Sequence, residues 1–144
     1  MSYSIDANIL LYASNTEARE YARALAFLNK RPEDPDLLCL TWSALMAYQR
    51  IATHPAIFQR PLSPDEAWKN IQKLLSLPRA RVLSEKADFA KVYSSVTSGL
   101  NIRGNLVPDA QIAAILQLHG VRRIYTADSD FRKFAFLEVI NPLD

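Results

Sequence analysis

Five short apolar runs, Tyr3 to Ile5, Leu37 to Leu40, Arg81 to Leu83, Arg123 to Thr126 and Leu137 to Ile140, are separated by longer segments of helical period. Each run is too short for a helix and is bounded by turn or capping residues, which reads as a strand. No hairpin turn signal joins any two of them, so helices must carry the chain from one strand to the next. That pattern specifies an α/β fold with a mainly parallel sheet covered on both faces.

The helix signals between the runs are local. Ser14-Asn15-Thr16-Glu17 fits a capping box opening a helix in which Ala18, Tyr21, Leu25 and Leu28 share one face. Thr41 begins a helix through Trp42, Leu45, Tyr48 and Ala52 that ends near Pro55, where His54 is placed to cap the helix end. Ser63-Pro64-Asp65-Glu66 combines an N-cap, a proline at the first helical position and a capping glutamate. Ser84 is read as the cap of a helix through Phe89, Val92 and Tyr93. Pro108 precedes the last one, which carries Ile112, Ala113, Ile115 and Leu116 and stops at Gly120. Trp42, Tyr48 and Trp68, at helical spacing beside leucines, read as core aromatics rather than as base-stacking residues. With no internal repeat or linker, the 144 residues read as one domain over 1–144.

Several chemistries are excluded. Only three glycines are present, Gly99, Gly104 and Gly120, so neither a dinucleotide fingerprint nor a Walker loop exists. His54 and His119 are remote from each other and Cys39 is alone, which removes zinc spacing and disulfides. No apolar stretch has membrane-spanning length, and the amino terminus carries no basic-then-apolar leader, so the protein is expected to be cytoplasmic.

The acids are more informative. In parallel sheets, ligands collect beyond the carboxyl ends of strands. Asp6 follows the first run, Asp109 opens the last helix, and Asp128 with Asp130 follows the Ile124-Tyr125-Thr126 run. Any one of them alone is as well read as a helix cap. Gathered together they would repel one another unless a cation compensated, and an all-oxygen set suits Mg²⁺ or Mn²⁺. Setting these four aside leaves a basic remainder, which suits a polyanionic substrate.

The chain resembles PIN-domain proteins of the VapC toxin family. The residues that carry the likeness are Ser4-Ile5-Asp6-Ala7-Asn8-Ile9-Leu10, Arg50-Ile51-Ala52-Thr53-His54-Pro55, Asp109-Ala110-Gln111-Ile112-Ala113-Ala114, Thr126-Ala127-Asp128-Ser129-Asp130-Phe131 and Ile140-Asn141-Pro142. They occur in the family's order across almost the whole chain. The resemblance implies a three-layer α/β/α fold and a Mg²⁺-dependent endoribonuclease that leaves a 5′-phosphate and a 3′-hydroxyl. It also implies a cognate antitoxin and a homodimer. Asp6, Asp109 and Asp128 become the metal ligands and catalytic acids, with Asp130 an alternate or supporting ligand and Asn8 and Thr126 orienting the carboxylates. For Asn8 and Thr126 a local helix cap and a strand position are the competing readings.

One position departs from the family. Where many members carry a glutamate, this chain has Ala47. Ser43, Ala47, Arg50 and His54 share a helix face, so Ser43 is placed to hold a water near the missing carboxylate and Arg50 to meet a phosphate. The same face also reads as a plain solvated stripe. Two other functions stay open on the sequence: a PIN-fold protein that binds RNA or antitoxin with weakened turnover, and, more distantly, a Mg²⁺-dependent phosphatase.

Overall fold

The strands are β1 (Ser2–Ile5), β2 (Leu37–Thr41), β3 (Ala80–Leu83), β4 (Arg123–Tyr125) and β5 (Glu138–Ile140), and the computed structural model describes residues 1–144. They are the five runs read from the sequence, each shifted by one residue at one end. All pair in parallel in the order β3-β2-β1-β4-β5. The helices are α1 (Ala7–Ser14), α2 (Tyr21–Asn29), α3 (Trp42–Ala52), α4 (Pro64–Leu75), α5 (Phe89–Val96) and α6 (Leu106–Leu118). Short 3₁₀ turns cover Arg31–Glu33 and Ser129–Lys133. No helix is long and apolar enough to cross a membrane.

Alternation along the strands divides the core between the two sheet faces. Tyr3 and Ile5 of β1 and Leu38 and Leu40 of β2 join Ile9, Leu45, Tyr48 and Ile71 from α1, α3 and α4. Cys39 and Ile124 belong instead to a second cluster with Ala110, Ala113 and Leu116 of α6, together with Phe131 and Phe134. The result is three layers, α/β/α, as the family resemblance implies. Helix α6 is buried from Ile112 through Leu116, so it lies under the sheet rather than along its rim.

Local chemistry explains where the helices begin and end. Ser63 and Glu66 form the expected reciprocal capping box at α4, and Thr41 caps α3 by accepting the Ala44 amide. Gly120, at φ +69°, ends α6: its amide donates to Gln117 and the next amide, of Val121, reaches back to Leu116.

Four expectations are corrected. Asp6, not Ser14, starts the first helix, while the Asn15 side chain accepts the Glu17 amide in a local turn, so α2 begins only at Tyr21. Ser84 caps nothing, since α5 begins after Asp88. Pro108 lies inside the first turn of α6, where a missing N–H breaks no helical bond. Of the three aromatics read as core, only Tyr48 is buried; Trp42 and Trp68 are 44% and 37% exposed and stack on each other at 6.4 Å.

Arg31 ties α2 to the sheet. Its guanidinium sits 3.9 Å from the centre of the Phe27 ring and within 6 Å of Tyr3 and Tyr125, donates to the Phe27 carbonyl, and pairs with Asp34 at 3.2 Å. With its side chain only 8% exposed, the cation is held by aromatic faces and one carboxylate in place of water. Arg31→Ala is expected to lower the unfolding free energy by about 2 kcal/mol, read from the urea midpoint.

Candidate metal centre

The chain visits β2 and β3 on one side of β1 before returning to lay β4 on the other, so a crevice opens where the strand order reverses. Ser4 pairs with Ile124 and Ile5 with Tyr125, which brings Asp6 and Thr126 out of the sheet side by side. The Asp6 amide donates to the Tyr125 carbonyl at 3.0 Å, and the Thr126 amide donates to Ile140 at 2.9 Å.

Asp6 is the N-cap of α1: its Oδ1 accepts the Ala7 amide at 2.7 Å. Its Oδ2 accepts the Thr126 hydroxyl at 2.9 Å and the Asn8 amide nitrogen at 3.3 Å. The Thr126 hydroxyl uses its one proton on Asp6 and accepts from Asn8 Nδ2 and from the Asp128 amide. Asn8 Oδ1 accepts the Ala127 amide, and Asp128 Oδ1 accepts the Asp130 amide. Asn8 is therefore no helix cap, and Thr126 stands just past the strand end. Together they fasten the β4 loop to α1.

Asp109 reaches the crevice from the first turn of α6. One carboxylate oxygen each from Asp109, Asp128 and Asp130 lies within 4.8 Å of the others, with all three residues half-buried. Asp6, 9% exposed, stands outside that trio, engaged by its hydrogen bonds. None of the chain's ion pairs involves any of the four. Burial, reinforced by the charges of Asp6, Asp128 and Asp130, pushes Asp109 up to about 7. Burial also raises Asp6, opposed by its bonds from Thr126 and Ala7. An uncompensated, all-oxygen cluster of this kind matches the donor set of a hard divalent cation.

The α3 residues stand apart from this network. Ser43 is half-buried and Arg50 exposed, and the side chain of neither forms a hydrogen bond or ion pair within the chain. Ala47 rests on the apolar seam made by Ala7, Ala44, Ala110 and Ala113. His54 does not cap α3 as expected: Thr53 holds the C-cap position, and the His54 ring accepts the Ala56 amide in the turn beyond it. Sequence reading offered Asp6 as a cap but missed the helix it opens, signalled only by Ala7, Ile9 and Leu10, and it missed the Ala127 amide, which carries no side-chain signal.

The chain is similar to known proteins over nearly its whole length. A family model described as PIN domain matches residues 3–137. Ribonuclease VapC48 of Mycobacterium tuberculosis is 34% identical over 142 residues, covering 99% of this chain and 98% of that protein. VapC ribonuclease Mb2897 of Mycobacterium bovis is 31% identical, covering 97% and 95%. Among solved structures, the sarcin-ricin loop cleaving toxin VapC20 of Mycobacterium tuberculosis superposes with a TM-score of 0.69 at 17% identity, covering 96% of this chain and 99% of that one. VapBC2 of Rickettsia felis, bound to a promoter DNA fragment, gives 0.66 at 20% identity, covering 98% of each chain.

Because Asp109 holds a proton more tightly folded than unfolded, the stability it contributes is fully present below its ordinary value of 3.8 and is lost as pH rises through about 7. In EDTA the urea midpoint is expected to fall across that window, and Asp109→Asn is expected to lessen the fall. Added Mg²⁺ should raise the midpoint most at the upper end.

Proposed function

The chain belongs to the PIN-domain family, and on that premise we propose that it is a Mg²⁺-dependent endoribonuclease of the VapC type, the toxin of a toxin–antitoxin pair. The observation that carries this reading is the gathering of Asp6, Asp109, Asp128 and Asp130 at the sheet's switch point with no cationic side chain paired to them.

In this reading Asp109, Asp128 and Asp130 would hold the cation, with the charge of Asp6 nearby. A divalent ion there supplies neutralising charge at the scissile phosphate and activation of a water for in-line attack. Asp109, whose proton affinity is raised toward neutrality, is the group that releases a proton when the ion binds, so affinity for the ion grows as pH rises through about 7. Thr126 and Asn8 fix the carboxylate of Asp6 and the backbone leading into Asp128, which sets the geometry the ion meets. Arg50, exposed on α3, is free to meet a substrate phosphate, and Ser43 to hold a water beside Ala47. The substrate is a single-stranded stretch of RNA, whose phosphates are open to such a crevice.

Two surfaces suit the partners. An apolar groove of 310 Å³ between α1, α2 and α4, lined by Leu10, Leu25, Leu28, Ile71 and Leu74, fits the apolar face of an antitoxin helix. The exposed Trp42, Met46 and Trp68 give a second copy of the chain an apolar face to cover.

Cleavage of a single-stranded RNA is expected to require added Mg²⁺ or Mn²⁺ and to vanish in Asp109→Asn and Asp6→Asn. Undiminished cleavage in EDTA would overturn the mechanism. Thr126→Val, which removes the hydroxyl from Asp6 and from the Asp128 amide, should reduce the rate by about 10- to 100-fold at fixed Mg²⁺.

A further inference from the structure

A second cavity, of 530 Å³, is lined in part by Ala127, the residue before Asp128. Its walls are Tyr12 of α1, Arg19 and Glu20 on the turn before α2, Arg23 in the first turn of α2, Ala127, and the Asn141–Asp144 segment. Two chain connections tie it to the carboxylates. Ala127 directly precedes Asp128, and its amide is held by Asn8; Tyr12 follows Asn8 by one helical turn, on the same face of α1.

The lining chemistry is specific. Arg19 takes part in none of the chain's ion pairs, and Arg23 is braced by a 2.7 Å bond from Nη1 to the Leu143 carbonyl that leaves its other donors free. Glu20 and Asp144 line the same cavity and pair with neither guanidinium. A site with two unpaired cations, two acceptor carboxylates and one half-buried phenol ring does not select a simple anion, because the carboxylates would repel it. It suits a ligand that offers phosphate to the arginines, amino or imino donors to the acids, and an aromatic face to Tyr12. A nucleotide has all three, and the volume falls within the roughly 300–1,000 Å³ of small-ligand sites.

We propose that this cavity is a substrate subsite, binding one nucleotide of the single-stranded RNA that flanks the scissile phosphate, with Arg19 on its phosphate and Tyr12 stacked on its base. The assignment rests on the endoribonuclease reading above.

The test is fluorescence anisotropy of a labelled single-stranded RNA of mixed sequence with the full chain in EDTA, where cleavage is suppressed. Arg19→Ala is expected to weaken binding several-fold and to reduce the slope of log K against log salt by about 0.7, the signature of one lost phosphate contact on a single strand. Tyr12→Leu keeps an apolar group in the half-buried position but removes the ring. It should weaken binding about tenfold with the salt slope unchanged. Tyr12→Phe should bind as wild type, as should Lys91→Ala, which removes an equal charge from α5. If wild type cleaves RNA while Arg19→Ala and Tyr12→Leu bind it undiminished, the cavity assignment fails and the nuclease reading stands. If wild type neither binds nor cleaves RNA, the nuclease reading fails and the subsite falls with it.

Discussion

Everything at the active end of this molecule depends on β1 and β4 lying side by side in parallel, with Ser4 opposite Ile124. That register delivers Asp6 and Thr126 together, although 120 residues separate them in the chain. A shift of one residue would turn Thr126 to the other face of the sheet and leave Asp6 without its hydroxyl. The Thr126 hydroxyl then does what no backbone group at that point does: it serves a carboxylate, an amide side chain and a backbone N–H at once. The acid centre is thus a product of sheet pairing, completed by a single oxygen atom.

Small residues supply the other half of the geometry. Ala7, Ala44, Ala110 and Ala113 belong to one buried cluster, whose small side chains let α3 pack against both α1 and α6 at the end of the sheet where Asp109 opens α6. Ala47 belongs to the same seam. Its methyl group therefore has a packing role in this chain, at the position where the family resemblance led to the expectation of an acid. The carboxylates that remain are concentrated on the β1, β4 and α6 side, and their mutual repulsion is expressed mainly at Asp109.

The parts of this structure that were legible in the sequence are those decided within a few residues. The five strands announced themselves because short apolar runs bounded by caps have few other solutions, and Thr41, Ser63 and Gly120 acted as the chain predicts. Asp6, Asp109, Asp128 and Asp130 were readable as a group from their places beyond the strand ends, while Asn8 and Thr126 joined them only through the family resemblance, since no local rule links a side chain to a partner so far along the chain. What was not legible depends on competition or on surroundings. Helix α1 follows β1 without a break, so its apolar residues merge with the strand's, and the stronger-looking caps at Ser14 to Glu17 drew the boundary to the wrong place. Trp42 and Trp68 have the spacing of core residues, and spacing alone does not tell whether the face they occupy is covered by the chain itself or left open. Tyr12 and Arg23 drew no attention because a cavity formed by the Asn141–Asp144 segment is invisible until that segment is placed.

Strand β1 is paired on both edges, and the consequence concerns how the molecule can come apart. Asp6 sits at the seam of both layers, its amide bonded into β4 and its carboxylate into α1 and the β4 loop. Its backbone is released only when β1 and β4 part, whereas its carboxylate bonds depend on the start of α1 and on the loop after β4. The Asp6 backbone is therefore expected to stay in place through local openings that free Asp128 and Asp130, which sit at and within the 3₁₀ turn after β4.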